Sequence, residues 1–163
     1  MQLNEYSLWL LPDKDSMKKL DNIIISLSMD YSSPVFKPHL TLLGRLEPAG
    51  YIKETYLLAS LLEPMKISLS GAVPFGRNYK SIVSLAKKSR PLMKANLMAR
   101  EIFSEQSQPE YVPHLSLIYG DFPENIENEL TSRLSDFNLE FETKNLGLYK
   151  LNVDLFDEIN LKL

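Results

Sequence analysis

Apolar residues run along this chain in two rhythms. Short blocks show the alternation of a strand, and longer stretches show the three-or-four-residue spacing of a helix face. Tyr6-Ser7-Leu8-Trp9-Leu10-Leu11 is a block of the first kind, closed by the turn chemistry of Pro12-Asp13. Asp15-Ser16 can cap a helix reaching about Met29, with Met17, Leu20, Ile23, Ile24 and Leu27 at helical spacing. Tyr31 to Lys37 reads as a loop, and Pro38 stands where a strand tolerates proline, at its first residue. After that strand the pattern predicts a turn from Gly44 to Gly50, a helix over Ile52–Leu62 and a strand over Lys66–Gly71.

A glycine- and proline-bounded loop, Gly71 to Asn78, separates these elements from a second series. Lys80 to Ala86 is strand-like, and Pro91 sits early in a helix running to about Ser104, with Leu92, Met93, Leu97 and Ile102 apolar. The polar stretch Ser107-Gln108-Pro109-Glu110 leads to another strand, and Pro123 opens a helix through Leu134. Asn138–Phe141 and Leu146–Leu155 supply the last strands, as a hairpin about Lys144-Asn145.

The two series line up. Pro38-His39-Leu40-Thr41-Leu42-Leu43 returns as Pro113-His114-Leu115-Ser116-Leu117-Ile118, and Tyr6–Leu11 matches Ser81–Ala86 at the same offset. This is the mark of an internal pseudo-duplication. Alternating strands and helices alone would favour a parallel, doubly wound sheet. No glycine-rich phosphate loop follows the first strand, however, and the motif strands hold equivalent places in two similar units. The expected class is therefore α+β: two small sheets with helices outside, facing one another across a groove, with residues 1–163 forming one bilobal domain.

Strand geometry gives the repeated hexapeptide its chemical content. His39 and Thr41 share one face while Leu40 and Leu42 take the other, and His114 and Ser116 do the same. Each copy thus offers an imidazole able to move a proton near neutral pH beside a hydroxyl able to donate to an anionic oxygen. The chain holds two histidines, and both lie in this motif. A lone histidine on an apolar strand is usually structural; two in the same hexapeptide favour function.

Composition narrows the partners. With 163 residues, 44% hydrophobic and 24% charged, the chain suits one globular domain with a sizeable core. It has no cysteine, which removes thiolate nucleophiles, disulfides and cysteine zinc sites; a metal site would need carboxylates to complete it, and a mechanism without metal or other cofactor is expected. No apolar run reaches the length of a membrane span and the N-terminal residues lack the basic region of a signal peptide, so a cytosolic protein without membrane contact is expected; a monomer is taken as the working expectation, which the sequence does not itself fix. A net charge of −3 argues against strong binding of a long nucleic acid, whereas a small phosphorylated ligand needs only a local pocket.

Two imidazoles across a cleft suit in-line displacement at phosphorus, one taking a proton from water and the other giving one to the leaving oxygen. A cyclic phosphate fits best, because its ring opens with only one oxygen leaving. Thr41 and Ser116 are spaced to donate to the equatorial oxygens.

His-Leu-Thr-Leu and His-Leu-Ser-Leu resemble the paired His-x-Thr/Ser-x signatures of the two-histidine (2H) phosphoesterases. Tyr6 to Pro12, Phe36 to Thr41 and Tyr111 to Tyr119 are similar to landmarks of one branch, the 2′,3′-cyclic-nucleotide phosphodiesterases. The resemblance implies a bilobal α+β fold in which two antiparallel lobes, related by a pseudo-twofold axis, carry outer helices and enclose a central cleft. It implies metal-independent opening of a 2′,3′-cyclic phosphate to the 2′-phosphate, and of ADP-ribose 1″,2″-cyclic phosphate, a by-product of tRNA splicing. By position it makes His114 the base on water, His39 the acid on the 3′ oxygen, and Thr41 and Ser116 the phosphate holders. It sets Tyr119 near the phosphate and Tyr79 as the aromatic that stacks on the base. Two rivals remain: an enzyme of the same fold acting on RNA ends or 2′,5′-linked oligonucleotides, and a non-catalytic nucleotide-binding module.

Overall fold

The structure is a computed structural model that describes residues 5–47, 51–76, 80–150 and 159–163. Strand β1 (Tyr6–Leu11) is followed by helix α1 (Lys14–Tyr31), β2 (Leu40–Leu46), α2 (Ile52–Leu61) and β3 (Met65–Phe75). The second series runs β4 (Ser81–Ala86), α3 (Arg90–Ile102), β5 (His114–Tyr119), α4 (Glu124–Arg133), β6 (Asn138–Thr143), β7 (Asn145–Lys150) and β8 (Ile159–Lys162). Helix starts are chemically marked: Asp13 caps α1 by accepting from the Ser16 amide at 2.9 Å, a little upstream of the expected Asp15-Ser16 cap. Ser89 caps α3, with Pro91 in the first turn where its missing N–H costs nothing.

The strands form one eight-stranded sheet in the order β6-β3-β4-β5-β2-β1-β7-β8, with every pairing antiparallel. Its two four-stranded lobes meet at one residue pair, Leu40 opposite Leu115 in β2 and β5. The order reads alike from both ends, which is the pseudo-twofold relation. The lobes are not the sequential halves, however: β3 joins β4 and β6, while β7 and β8 return to β1. The helices cross over as well, α1 packing chiefly on β5 and α3 on β2, so neither half of the chain closes a lobe alone.

One face of the sheet is sealed by the helices. Leu8, Leu10, Leu40, Leu42, Leu115, Leu117, Ile67 and Leu69 join Leu20 and Leu27 of α1, Leu92 of α3 and Leu130 of α4 in one buried cluster. Alternation therefore turns Trp9, His39, Thr41, His114 and Ser116 to the other face.

Several elements differ from expectation. β3 runs through Gly71 to Phe75 rather than stopping at a loop, because Gly71 adopts φ 64° and absorbs a register shift between Ser70 and Val73. β2 likewise continues past Gly44 to Leu46, with Arg45 at φ 57°. β8 was not expected, and the expected strand residues beyond Lys150, like Tyr79, lie outside the described residues. The strands β1 and β4 correspond one residue short of the offset that relates His39 to His114: Trp9 pairs with Thr41, and Val83 with Ser116.

Candidate active site

The seam between the lobes sets the site. Continuing the Leu40–Leu115 ladder by one residue each way puts His39 across from Ser116 and Thr41 across from His114, all four on the face turned from the helices. The histidines are then diagonal neighbours, a relation that spaces residues by about 7–8 Å in an antiparallel pair. One phosphate can bridge imidazoles at that spacing.

Both rings are anchored in the same way. His39 Nδ1 lies 2.7 Å from the carbonyl oxygen of Lys37, and His114 Nδ1 lies 2.8 Å from that of Val112. A carbonyl only accepts, so each Nδ1 carries a proton and each Nε2, on the far edge of the ring, is the atom left to take or give one. The two-residue reach back to the ring's own strand follows from the extended backbone before each histidine, with Pro38 and Pro113 inside it.

The packing around the rings differs. The His39 imidazole lies flat on the indole of Trp9, centroids 3.5 Å apart at 11°, and Tyr149 lies on Trp9 at 3.9 Å and 17°. Two nearly parallel rings this close to one centroid cannot share a face, so the indole is sandwiched. Trp9 Nε1 donates to Ser7 Oγ at 3.0 Å, and Lys37 Nζ donates to the Tyr149 hydroxyl at 3.1 Å. A Cβ at Gly147 would run into the Tyr149 ring, so glycine is what lets that ring fold down onto Trp9. His114 instead meets Phe75, centroids 4.2 Å apart and tilted by 38°.

Burial in this aromatic setting disfavours the charged imidazole. It pushes His39 down to about 4, against the opposing pull of the Lys37 carbonyl and with added repulsion from His114 and Lys37. Burial pushes His114 down as well, opposed by the Val112 carbonyl.

Tyr119 reaches the site through a bulge. Strict alternation would send it the opposite way from His114 and Ser116, into the helix-covered core. A register shift between Ile82 and Val83 gives β5 one extra residue, so Leu117 and Ile118 both enter the core and Tyr119 returns to the face of Ser116. Burial raises the Tyr119 phenol, opposed by the nearby Ser116 hydroxyl. His39, His114, Thr41, Ser116 and Tyr119 thus come together. Sequence reading passed over Phe75, Tyr149 and Lys37, and it gave Trp9 little weight. The period-two register of Phe75 on β3 and the Gly147-x-Tyr149 spacing were the available signals. Among the described residues no group of three or more His, Asp or Glu is placed to hold a metal ion.

Two antiparallel lobes about a pseudo-twofold axis, with a His-x-Thr/Ser motif from each at the seam, define a two-histidine phosphoesterase. The chain belongs to the cyclic phosphodiesterase-like protein family, whose model matches residues 4–137. It is 26% identical over 156 residues to a cyclic phosphodiesterase of Arabidopsis thaliana, covering 91% of this chain and 86% of that one. Among solved structures, E. coli LigT in its apo form matches with a TM-score of 0.65 at 20% identity, over 98% of this chain and 95% of LigT. Usb1 of Kluyveromyces marxianus matches with a TM-score of 0.60 at 15% identity, over 99% of both chains. LigT has also been solved with phosphate and with 3′-AMP.

Proposed function

We propose that this protein hydrolyses 2′,3′-cyclic nucleotides to 2′-phosphates without a metal ion, and opens ADP-ribose 1″,2″-cyclic phosphate by the same chemistry. The observation that carries the reading is the seam register: two imidazoles with Nδ1 anchored and Nε2 spare, with Thr41 and Ser116 beside them, brought together about the Leu40–Leu115 pair. The phosphate and 3′-AMP complexes of LigT add support from a neighbour of the same fold. Substrates are small molecules rather than polymer ends, in keeping with the net charge of −3, and the enzyme works as a cytosolic monomer.

In the reaction one Nε2 takes a proton from water as its oxygen attacks phosphorus opposite the 3′ oxygen. The bond to the 3′ oxygen breaks, and the other Nε2 gives that oxygen its proton. Thr41 and Ser116 donate to the equatorial oxygens, with Tyr119 set behind Ser116. On the resemblance His114 is the base and His39 the acid. Burial disfavours the charged form of both rings, so this assignment requires the bound phosphate anion to draw a proton to His39.

The test offers 2′,3′-cyclic AMP to the wild type, His39→Ala and His114→Ala in EDTA, with phosphorus NMR reading the product. The expected result is wild-type formation of the 2′-phosphate and a loss of at least about 100-fold in each variant. A 3′-phosphate product overturns the regiochemistry, activity abolished by EDTA overturns the metal-free route, and binding without turnover leaves the nucleotide-binding module. RNA ends or 2′,5′-linked oligonucleotides turned over in preference to the cyclic mononucleotide favour the polymer-end enzyme.

A further inference from the structure

The pseudo-twofold axis shows where the cleft is closed and where it is open. Gly44 follows His39 at the interval at which Tyr119 follows His114, and Phe36 precedes His39 as Tyr111 precedes His114. At one end of the seam Phe36 and Tyr119 meet ring on ring, centroids 4.4 Å apart at 60°. At the other end Tyr111 turns its hydroxyl to the Thr41 carbonyl at 2.9 Å, and Gly44 offers no ring to meet it. Beside it lies a cavity of about 280 Å³ whose wall includes Gly44 and Tyr111 together with Thr41 and His114, two of the four residues set around the proposed phosphate position.

The chemistry of the wall selects the occupant. Its polar side chains are already engaged: Asn96 donates to the Leu42 carbonyl and Gln108 to that of Gly44, each at 2.7 Å, as Tyr111 does to Thr41, while Arg100 donates to Asn96 and to the Gln108 and Pro109 carbonyls and Glu110 pairs with Lys88. Phe75, the Tyr111 ring and Val112 remain as apolar surface, with Arg45 exposed at the margin. The volume is near the lower bound for small-ligand pockets, room for one flat ring system rather than a chain of nucleotides. Trp9 is no alternative platform, because both its faces are taken.

We infer that this cavity receives the nucleobase of the cyclic nucleotide, and that Gly44, standing where the twofold calls for a tyrosine, is the residue that keeps it open. The inference rests on the phosphodiesterase reading above. Gly44 can be filled without backbone strain: its φ is not positive, and a Cβ there would meet Thr41 Cγ2 at 3.6 Å and Ser7 Oγ at 3.8 Å, ordinary contacts.

The experiment compares kcat/KM for 2′,3′-cyclic AMP with that for a base-free five-membered cyclic phosphate, glycerol 1,2-cyclic phosphate, in the wild type, Gly44→Ala and Gly44→Leu. The wild type is expected to prefer the nucleotide. Gly44→Leu is expected to cut the ratio of the two by at least about 10-fold, mainly through KM for the nucleotide, with Gly44→Ala between. Turnover of the base-free ester reports folding in each variant; should Gly44→Leu not fold, the Gly44→Ala ratio decides. A ratio unchanged across the series overturns the inference and leaves the phosphodiesterase reading intact. A wild type that turns over neither ester overturns both.

Discussion

The two halves of the cleft repeat one backbone and differ in what leans on each histidine. Tyr149 and Phe75 are twins, paired to Ser7 and Ser81 respectively, and Trp9 and Val83 are twins, paired to Thr41 and Ser116. Where the indole is present, Tyr149 reaches the imidazole only through it, and His39 ends a stack of three rings. Where valine takes its place, Phe75 drops onto His114 directly and at a tilt. A duplicated scaffold with one exchanged side chain thus lays one imidazole flat at the end of a ring stack and sets the other against a single tilted ring. Two groups set apart in this way are what acid–base chemistry at one phosphate needs.

The sharpest way to break the comparison is to remove the need for an acid. A cyclic substrate with sulfur in place of the 3′ bridging oxygen expels a thiolate that leaves unprotonated. Against the oxygen ester both alanine variants lose at least about 100-fold. Against the sulfur ester His39→Ala is expected to recover most of that loss and His114→Ala none, in steady-state turnover; recovery by His114→Ala instead reverses the roles.

Next in size is the stack. Trp9→Leu exposes one face of His39, and kcat/KM is expected to fall about 10-fold, the range of a weakened general acid–base step. Relief of burial moves the His39 value upward from about 4, so the acid limb of the pH profile moves to higher pH. Phe75→Leu, which removes a tilted contact, is expected to cost less and to move that limb less. In the wild type both imidazoles are depressed below 6.5, so the bell of kcat/KM peaks on the acid side of that value.

Smaller still, Tyr119→Phe removes the phenol hydroxyl near Ser116 and is expected to raise KM about 3-fold, what one hydrogen bond to the substrate phosphate would be worth. Stability gives the last contrast. A depressed imidazole contributes stability that is full above 6.5 and is lost as pH falls towards about 4. Thermal unfolding of His39→Gln should therefore depend less on pH across that window than the wild type.

Much of this was legible in the chain. The hexapeptide repeat gave the two histidines and their hydroxyl neighbours, because period-two alternation carries face information directly. The four helices followed from spacing and caps, with ends shifted by a residue or two. What alternation cannot encode is a bulge. The extra residues in β2 and β5 send Leu42 and Leu43, and Leu117 and Ile118, into the core together, and so decide that Gly44 and Tyr119 face the cleft. The exchange of β3 and β7 between lobes was likewise invisible, since strand pairing is long-range while propensity is local. Phe75 was hidden because Gly71 and Pro74 read as loop punctuation, although the glycine only kinks a continuing strand.

The central claim, two imidazoles serving one phosphate, is tested most directly by nitrogen-15 NMR of histidine-labelled protein titrated with adenosine 2′-monophosphate. Both Nε2 resonances are expected to shift along one saturation curve, and both rings to titrate at higher pH in the complex than in the free protein. A response from one ring alone, or two responses saturating at different concentrations, would contradict it.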